Sequence, residues 1–247
     1  MKPDGRPPEG HRAPRRVSMG RSGPMRRPHA PRPHPLHILV TAGPTREHID
    51  PVRFLSNESS GRMGFAVAEA AARRGHRVTL VAGPVGLPTP AGVERCDVVS
   101  ARQMLAQARK AFRSADALVM AAAVADYRPR RRWAGKWRVK DRRAESATLE
   151  LVRNPDILAT LGRDKARGRS RPPRRVVGFA LETAQGDRRA LAKLRHKNAD
   201  WIVLNDDSAL NAERASVILF GSDGSKRRLR RRSKRAIAEV LVELVES

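Results

Sequence analysis

The stretch HILVTAGPT (residues 37–45), followed by MGFAVAEAAARRG (63–75) and RVTLVAGP (77–84), decides the fold. His37–Thr41 is a short apolar run that ends in Ala-Gly-Pro-Thr, the pattern of a buried strand running into a tight turn. Met63–Arg74 is alanine-rich with helical spacing, and Gly75 stops it. Arg77–Ala82 is a second strand closed by Gly83-Pro84. Strand, helix and strand in this order form a parallel crossover unit, and the rest of the chain repeats the alternation.

Downstream, Ala101–Arg113 reads as a helix and Ala117–Ala121 as a third strand. Thr148–Val152 reads as a short strand, and Asn154-Pro155-Asp156 opens a helix over Ile157–Leu161. Val176–Ala180 is a fourth strand, Ala190–Lys197 a helix and Trp201–Leu204 a fifth strand. Ala215–Phe220 and Lys226–Arg230, joined through Ser222-Asp223-Gly224-Ser225, carry a hairpin signal. Ser233–Val245 is an amphipathic closing helix. The fold class expected is α/β: a doubly wound, mainly parallel, Rossmann-like sheet with an additional C-terminal β-hairpin. Such sheets bind ligands outside the carboxyl ends of their strands. Four loops are therefore of interest: Gly43–Gly64, Gly83–Pro90, Ala122–Lys140 and Glu182–Asp187.

The chain has 247 residues with 40% hydrophobic content, enough for one domain with a real core. Residues 1–35 contain nine of the 18 prolines, nine Lys or Arg and no hydrophobic period. They read as a disordered tail, and 36–247 as the domain. The single cysteine, Cys96, rules out a disulfide framework. No apolar run approaches the ~20 residues of a membrane span. No apolar leader is visible at the N-terminus, so a cytoplasmic location is expected. The net charge of +26 suggests a nucleic-acid binder. Aromatics are only 4%, too few for a base-stacking surface, so no specific nucleic-acid function is expected.

Between Gly43 and the first helix lies a long polar insert, Arg46–Gly61. Such links usually take two to six residues, and a long one at the ligand end of a sheet is usually functional. Backbone N–H groups around Ser59-Ser60-Gly61 could hold a phosphate or carboxylate. Alternatively, Asn57 or Ser59 only caps the helix. After the third strand, Ala121-Ala122-Ala123 leaves room for a flat ring against the backbone. Asp126 offers a carboxylate for a ribose hydroxyl, a base amine or a metal ion, or serves as a cap. Lys136, Arg138 and Lys140 alternate in one short stretch, which suits a polyphosphate or a solvated strand face. Lys193 and Lys197 share a helix face at i, i+4 and can converge on phosphate or stay wet. No GxGxxG, HExxH, CxxC or GxSxG occurs. Any chemistry here depends on positioning and charge neutralisation.

Six segments, in order, resemble those of bacterial phosphopantothenoylcysteine synthetases: TAGPTREHIDPVRFLSNESSGRMG (41–64), VTLVAGPVGLPTP (78–90), AAAVADYRP (121–129), LVRNPDIL (151–158), VVGFALET (176–183) and KLRHKNADWIVLND (193–206). The resemblance implies a ligase of coenzyme A biosynthesis. Phosphopantothenate attacks the α-phosphate of CTP and expels pyrophosphate. The cysteine amine then displaces CMP from the acyl-cytidylate, with Mg²⁺ on the phosphates. It implies that Asn57 handles the intermediate and that Met120, Ala121, Ala122 and Asp126 sit on the nucleotide stretch. Lys136 heads a Lys-x-Lys-Lys-like segment whose fourth position is Val139. Pro155, Asp156, Ile157, Leu158, Phe179, Lys193 and Lys197 complete the nucleotide contacts. The resemblance also implies a homodimer with sites near the subunit interface. The family's usual flavin-dependent decarboxylase half has no counterpart among these motifs, so a separate decarboxylase is an expected partner. A Rossmann-type NAD(P) or flavin oxidoreductase is the rival reading, and a basic nucleic-acid-binding module the second.

Overall fold

The computed structural model describes residues 34–138, 145–168, 174–181, 186–205 and 214–247. Residues 1–33 of the expected tail, Val139 and Lys140, and residues 182–185 lie outside them.

The first strand, β1 (His37–Ala42), is buried along its whole length. The polar insert folds into a short hairpin, β2 (Arg46–His48) and β3 (Phe54–Ser56), rather than an open loop. Helix α1 (Arg62–Arg73) follows, and Gly75, at φ +89°, supplies the left-handed turn that releases the chain into β4 (Arg77–Ala82). β5 (Val93–Asp97) was not foreseen. Its VERCD sequence lacks an apolar run because the strand lies at a sheet edge. Helix α2 (Ala101–Phe112) opens with a capping box between Ser100 and Gln103 and leads to β6 (Ala117–Met120). A second short pair, β7 (Tyr127–Pro129) and β8 (Leu151–Arg153), replaces the strand expected from Thr148.

Helix α3 (Ile157–Arg167) runs well beyond the expected Leu161. Its second half, Arg163–Arg167, is too polar for a hydrophobic period to mark it. Then come β9 (Arg175–Leu181), α4 (Gly186–His196), β10 (Trp201–Asn205) and the hairpin β11 (Arg214–Gly221) and β12 (Lys226–Ser233). α5 (Lys234–Glu246) closes the chain, with Ser233 as its N-cap rather than its first residue.

Eight strands form one sheet in the order β12-β11-β10-β9-β6-β1-β4-β5. All neighbours are parallel except in the β10-β11-β12 edge. Parallel central strands must bury both faces, and β1 does so by alternation. Ile38, Val40 and Ala42 join a core with α1 and α5, while Leu39 joins the opposite core with α2, α3 and α4. From β1 the chain moves outward to β4 and β5, then returns to β6 on the other side. The strand order therefore reverses between β1 and β6, and the crevice at their carboxyl ends is the switch point.

Candidate functional site

The β6 segment continues past Met120 as an extended line zipped to the turn after β1. Ala121 N–H donates to Thr41 O (3.0 Å), Ala123 N–H to Gly43 O (2.9 Å) and Thr45 N–H to Ala123 O (3.2 Å). The Thr45 hydroxyl, fully buried, accepts from Ala125 N–H at 3.0 Å. This ladder leaves the alanine methyl groups as a thin wall with open space beside it.

On one side of the wall is a cavity of about 430 Å³, lined by Met120, Ala122 and Asp126 from the β6 line. Pro155, Asp156, Ile157 and Leu158 line it from the start of α3, with Phe179 from β9 and Lys193 and Lys197 from the α4 end. Asn154 fixes one corner: its side-chain amide donates to Ala125 O (2.8 Å) and its N–H to Asp126 O (2.8 Å). Asp156 caps α3 by accepting from Ala159 N–H at 2.8 Å and forms an ion pair with the Lys197 ammonium. Burial alone would raise the Asp156 pKa. The Lys197 hydrogen bond, the Ala159 N–H and the charges of Lys197 and Lys193 together bring it below the ordinary value. Gly162 makes the pair possible, because a Cβ there would lie 1.8 Å from Lys197 O. Lys193 Nζ donates to Phe179 O at 2.7 Å. Both lysines thus meet the cavity while tethered to its frame.

Across the wall is a second cavity, about 710 Å³, bounded by Asn57–Met63, Ala121, Asn205 and Lys234. Ala122, Val124, Asp126, Phe179 and Lys193 belong to both cavities, which makes them adjoining chambers of one site. Asn57 is exposed and donates its amide to Val124 O at 3.1 Å. It does not cap α1, and neither does Ser59. The N-cap is Gly61, at φ +73°, with no side-chain cap hydrogen bond. The cap reading of those two residues is therefore corrected. Lys234 is pushed down from the ordinary lysine value by burial and by the neighbouring Arg62 charge.

Lys136 stands apart. It is exposed and lines neither cavity. Its segment is fastened to the β2-β3 hairpin instead. Trp133 N–H donates to Ile49 O (2.9 Å), Trp137 N–H donates to Asp50 Oδ2 (3.0 Å), and the two indoles stack at 5.1 Å. The Asp50 carboxylate is fully buried. Burial pushes its pKa up, but the N–H groups of Trp137, Val52 and Arg53 and the Arg53 guanidinium outweigh that. They hold it well below the usual carboxylate range. Of the alternating cations, Lys140 lies outside the described residues.

Thr45, Asn154, Asn205 and Lys234 were not foreseen. Asn154 had a signal in Asn-Pro-Asp, read only as a helix start. Asn205 lies inside the KLRHKNADWIVLND match but was given no role there, and Lys234 reaches the site from the start of α5, where no local pattern marks it. Asn205 Oδ1 is buried without a hydrogen-bond partner among the described residues. Those residues hold no cluster of three or more His, Cys, Asp or Glu placed to bind a metal. They also include no helix long and apolar enough to cross a membrane.

A doubly wound sheet with paired chambers at its switch point, walled by alanines and faced by lysines, defines an α/β protein whose site suits anionic small molecules. Residues 34–247 match the family model of the DNA/pantothenate metabolism flavoprotein C-terminal domain, and the chain belongs to that family. It is 44% identical over 212 residues to the coenzyme A biosynthesis bifunctional protein CoaBC of Vibrio cholerae, covering 84% of this chain and 51% of that protein. It is 45% identical over 195 residues to CoaBC of Escherichia coli K12, covering 77% and 47%. The chain thus spans about half the length of the curated relatives it matches. The crystal structure of the C-terminal domain of a CoaBC protein superposes with a TM-score of 0.71 at 38% identity, over 85% of this chain and 94% of that one.

Proposed function

We propose that the chain is a phosphopantothenate–cysteine ligase acting in the cytoplasm, joining 4'-phosphopantothenate and L-cysteine through an acyl-cytidylate made from CTP. The observation that carries this reading is the shared wall of the two chambers, in a chain related to the CoaBC C-terminal domain. A ligation in two steps needs a nucleotide and an acid side by side, with the carboxylate within reach of the α-phosphate. The chamber with Lys193, Lys197 and the α3 start suits the nucleotide. The chamber at Asn57 and the α1 start suits the acid. The carboxylate oxygen attacks the α-phosphorus, and the bond to the pyrophosphate oxygen breaks. The cysteine amine then attacks the acyl carbon, loses a proton and releases CMP.

Nothing in this scheme needs a side-chain nucleophile. The residues align the reactants, and cations neutralise charge that grows on the phosphates. Mg²⁺ would neutralise the triphosphate, and Asp126, which lines both chambers, is a carboxylate that could hold it. Asn57, Lys136 and the nucleotide-wall residues take the roles their motifs imply, in a homodimer. This reading replaces the oxidoreductase and nucleic-acid alternatives.

The first half-reaction tests the proposal alone. Without cysteine, labelled pyrophosphate should exchange into CTP only when phosphopantothenate is present. Lys136→Gln should slow this exchange on the order of 10²–10³-fold. Exchange independent of phosphopantothenate would reject the ligase, and an undiminished rate in the variant would reject the role of Lys136. Exchange into ATP rather than CTP would change the nucleotide.

A further inference from the structure

Strand β12 forms one edge of the sheet, and no strand lies beside its outer N–H and C=O groups among the described residues. It runs eight residues, Lys226–Ser233, and stays regular up to Arg230, after which a bulge opposite Ser216 sets Arg231 at φ +45°. Leu229 alone turns inward, into the core with α1 and α5. Arg227, Arg228, Arg230, Arg231 and Arg232 are exposed, and none forms an ion pair among the described residues. Arginines elsewhere on the surface do have carboxylate partners: Arg73 with Glu239, Arg109 with Asp164, Arg130 with Glu150. The edge itself shows what its cations accept. At its first residue, Lys226 binds the Asp187 carboxylate of α4 at 2.6 Å.

An open hydrogen-bonding edge and an array of guanidiniums with no ion pair among the described residues select one kind of partner. A second copy of β12 would set arginine against arginine, so the edge rejects its own kind. An extended acidic segment meets both features. Its backbone completes the ladder, and its alternate side chains repeat about every 6.6–6.8 Å, the same-face repeat of any strand, including Arg228 and Arg230. A nucleic-acid backbone would answer the charge but leave the ladder unused, and β12 carries no aromatic ring to stack a base. We propose that β12 is a docking strand for an extended acidic segment of a partner protein, which adds to the sheet as a ninth strand.

The full chain can be titrated with two labelled peptides of equal charge, one alternating Glu and Val, the other Glu and Pro, and with a single-stranded oligonucleotide. Proline removes the N–H groups that a new strand would donate. The Glu-Val peptide should bind about tenfold or more tighter than the Glu-Pro peptide. Combining Arg228→Glu and Arg230→Glu should weaken it by about tenfold or more, with pyrophosphate exchange unchanged because these edge residues line neither chamber and have no part in the proposed reaction. In the unaltered chain, Glu-Val peptide should also slow amide hydrogen exchange along β12, a readout that needs no variant to fold. Equal binding of the two peptides, tighter binding of the oligonucleotide, or unchanged exchange along β12 would each overturn the proposal.

Discussion

Asn57 joins the two chambers by a single hydrogen bond, its amide donating to Val124 O, and it has no helix to cap. Aspartate at this position keeps the size but loses the donor, and it sets a negative charge against a carbonyl and near an intermediate's phosphate. Asn57→Asp should therefore still exchange pyrophosphate into CTP but convert the acyl-cytidylate poorly with cysteine. Quenched samples analysed by mass should show the intermediate accumulating; wild-type turnover to product would remove Asn57 from the chemistry. The role of Asn57 could be suggested from sequence because SNESSGRMG carries the resemblance. Its partner could not, since Val124 lies 67 residues away and offers only a backbone oxygen.

At the scale of elements, the site depends on two close approaches. Gly162 on α3 lets the end of α4 come near enough for Lys197 to reach Asp156. Gly162→Ala should push the two apart, costing about 1–3 kcal/mol of stability and raising the KM for the nucleotide more than that for cysteine. Thermal melts and steady-state kinetics check this; equal KM changes would mean that the approach does not shape the nucleotide chamber. The second approach is Asp50, which fastens the Trp133–Trp137 segment to the β2-β3 hairpin. Its folded pKa lies below its ordinary value of 3.8. The stabilisation is thus complete above that value and is lost as pH falls toward the folded pKa. Tryptophan fluorescence should report release of the segment in that acid range, and Asp50→Asn should show the released signal already at neutral pH. A wild-type signal in Asp50→Asn would place the anchor elsewhere. Long periodic elements such as β1, α1 and β4 were legible because each buries an apolar face with its own period. β5, β2-β3 and the second half of α3 were not, because their positions are set by neighbours rather than by local hydrophobicity.

For the whole molecule, the doubly wound order gathers the chamber residues around the switch point, although they span Ser56 to Lys234 in the chain. The described contacts into that sheet begin at Leu36, whose N–H donates to His76 Nδ1 and whose carbonyl accepts from Arg77 N–H. Deleting residues 1–35 should then leave melting temperature and pyrophosphate exchange nearly unchanged, and a large fall in either would give the segment a structural role. The account as a whole rests on the two chambers holding nucleotide and acid side by side through two successive steps. The most direct measurement incubates the full chain with 4'-phosphopantothenate, L-cysteine, Mg²⁺ and each nucleoside triphosphate in turn, then weighs the products. The prediction is one equivalent each of CMP, pyrophosphate and phosphopantothenoylcysteine with CTP, and no phosphopantothenoylcysteine when cysteine or the nucleotide is left out. Nucleotide hydrolysis without the amide product, or no turnover with any triphosphate, would contradict it.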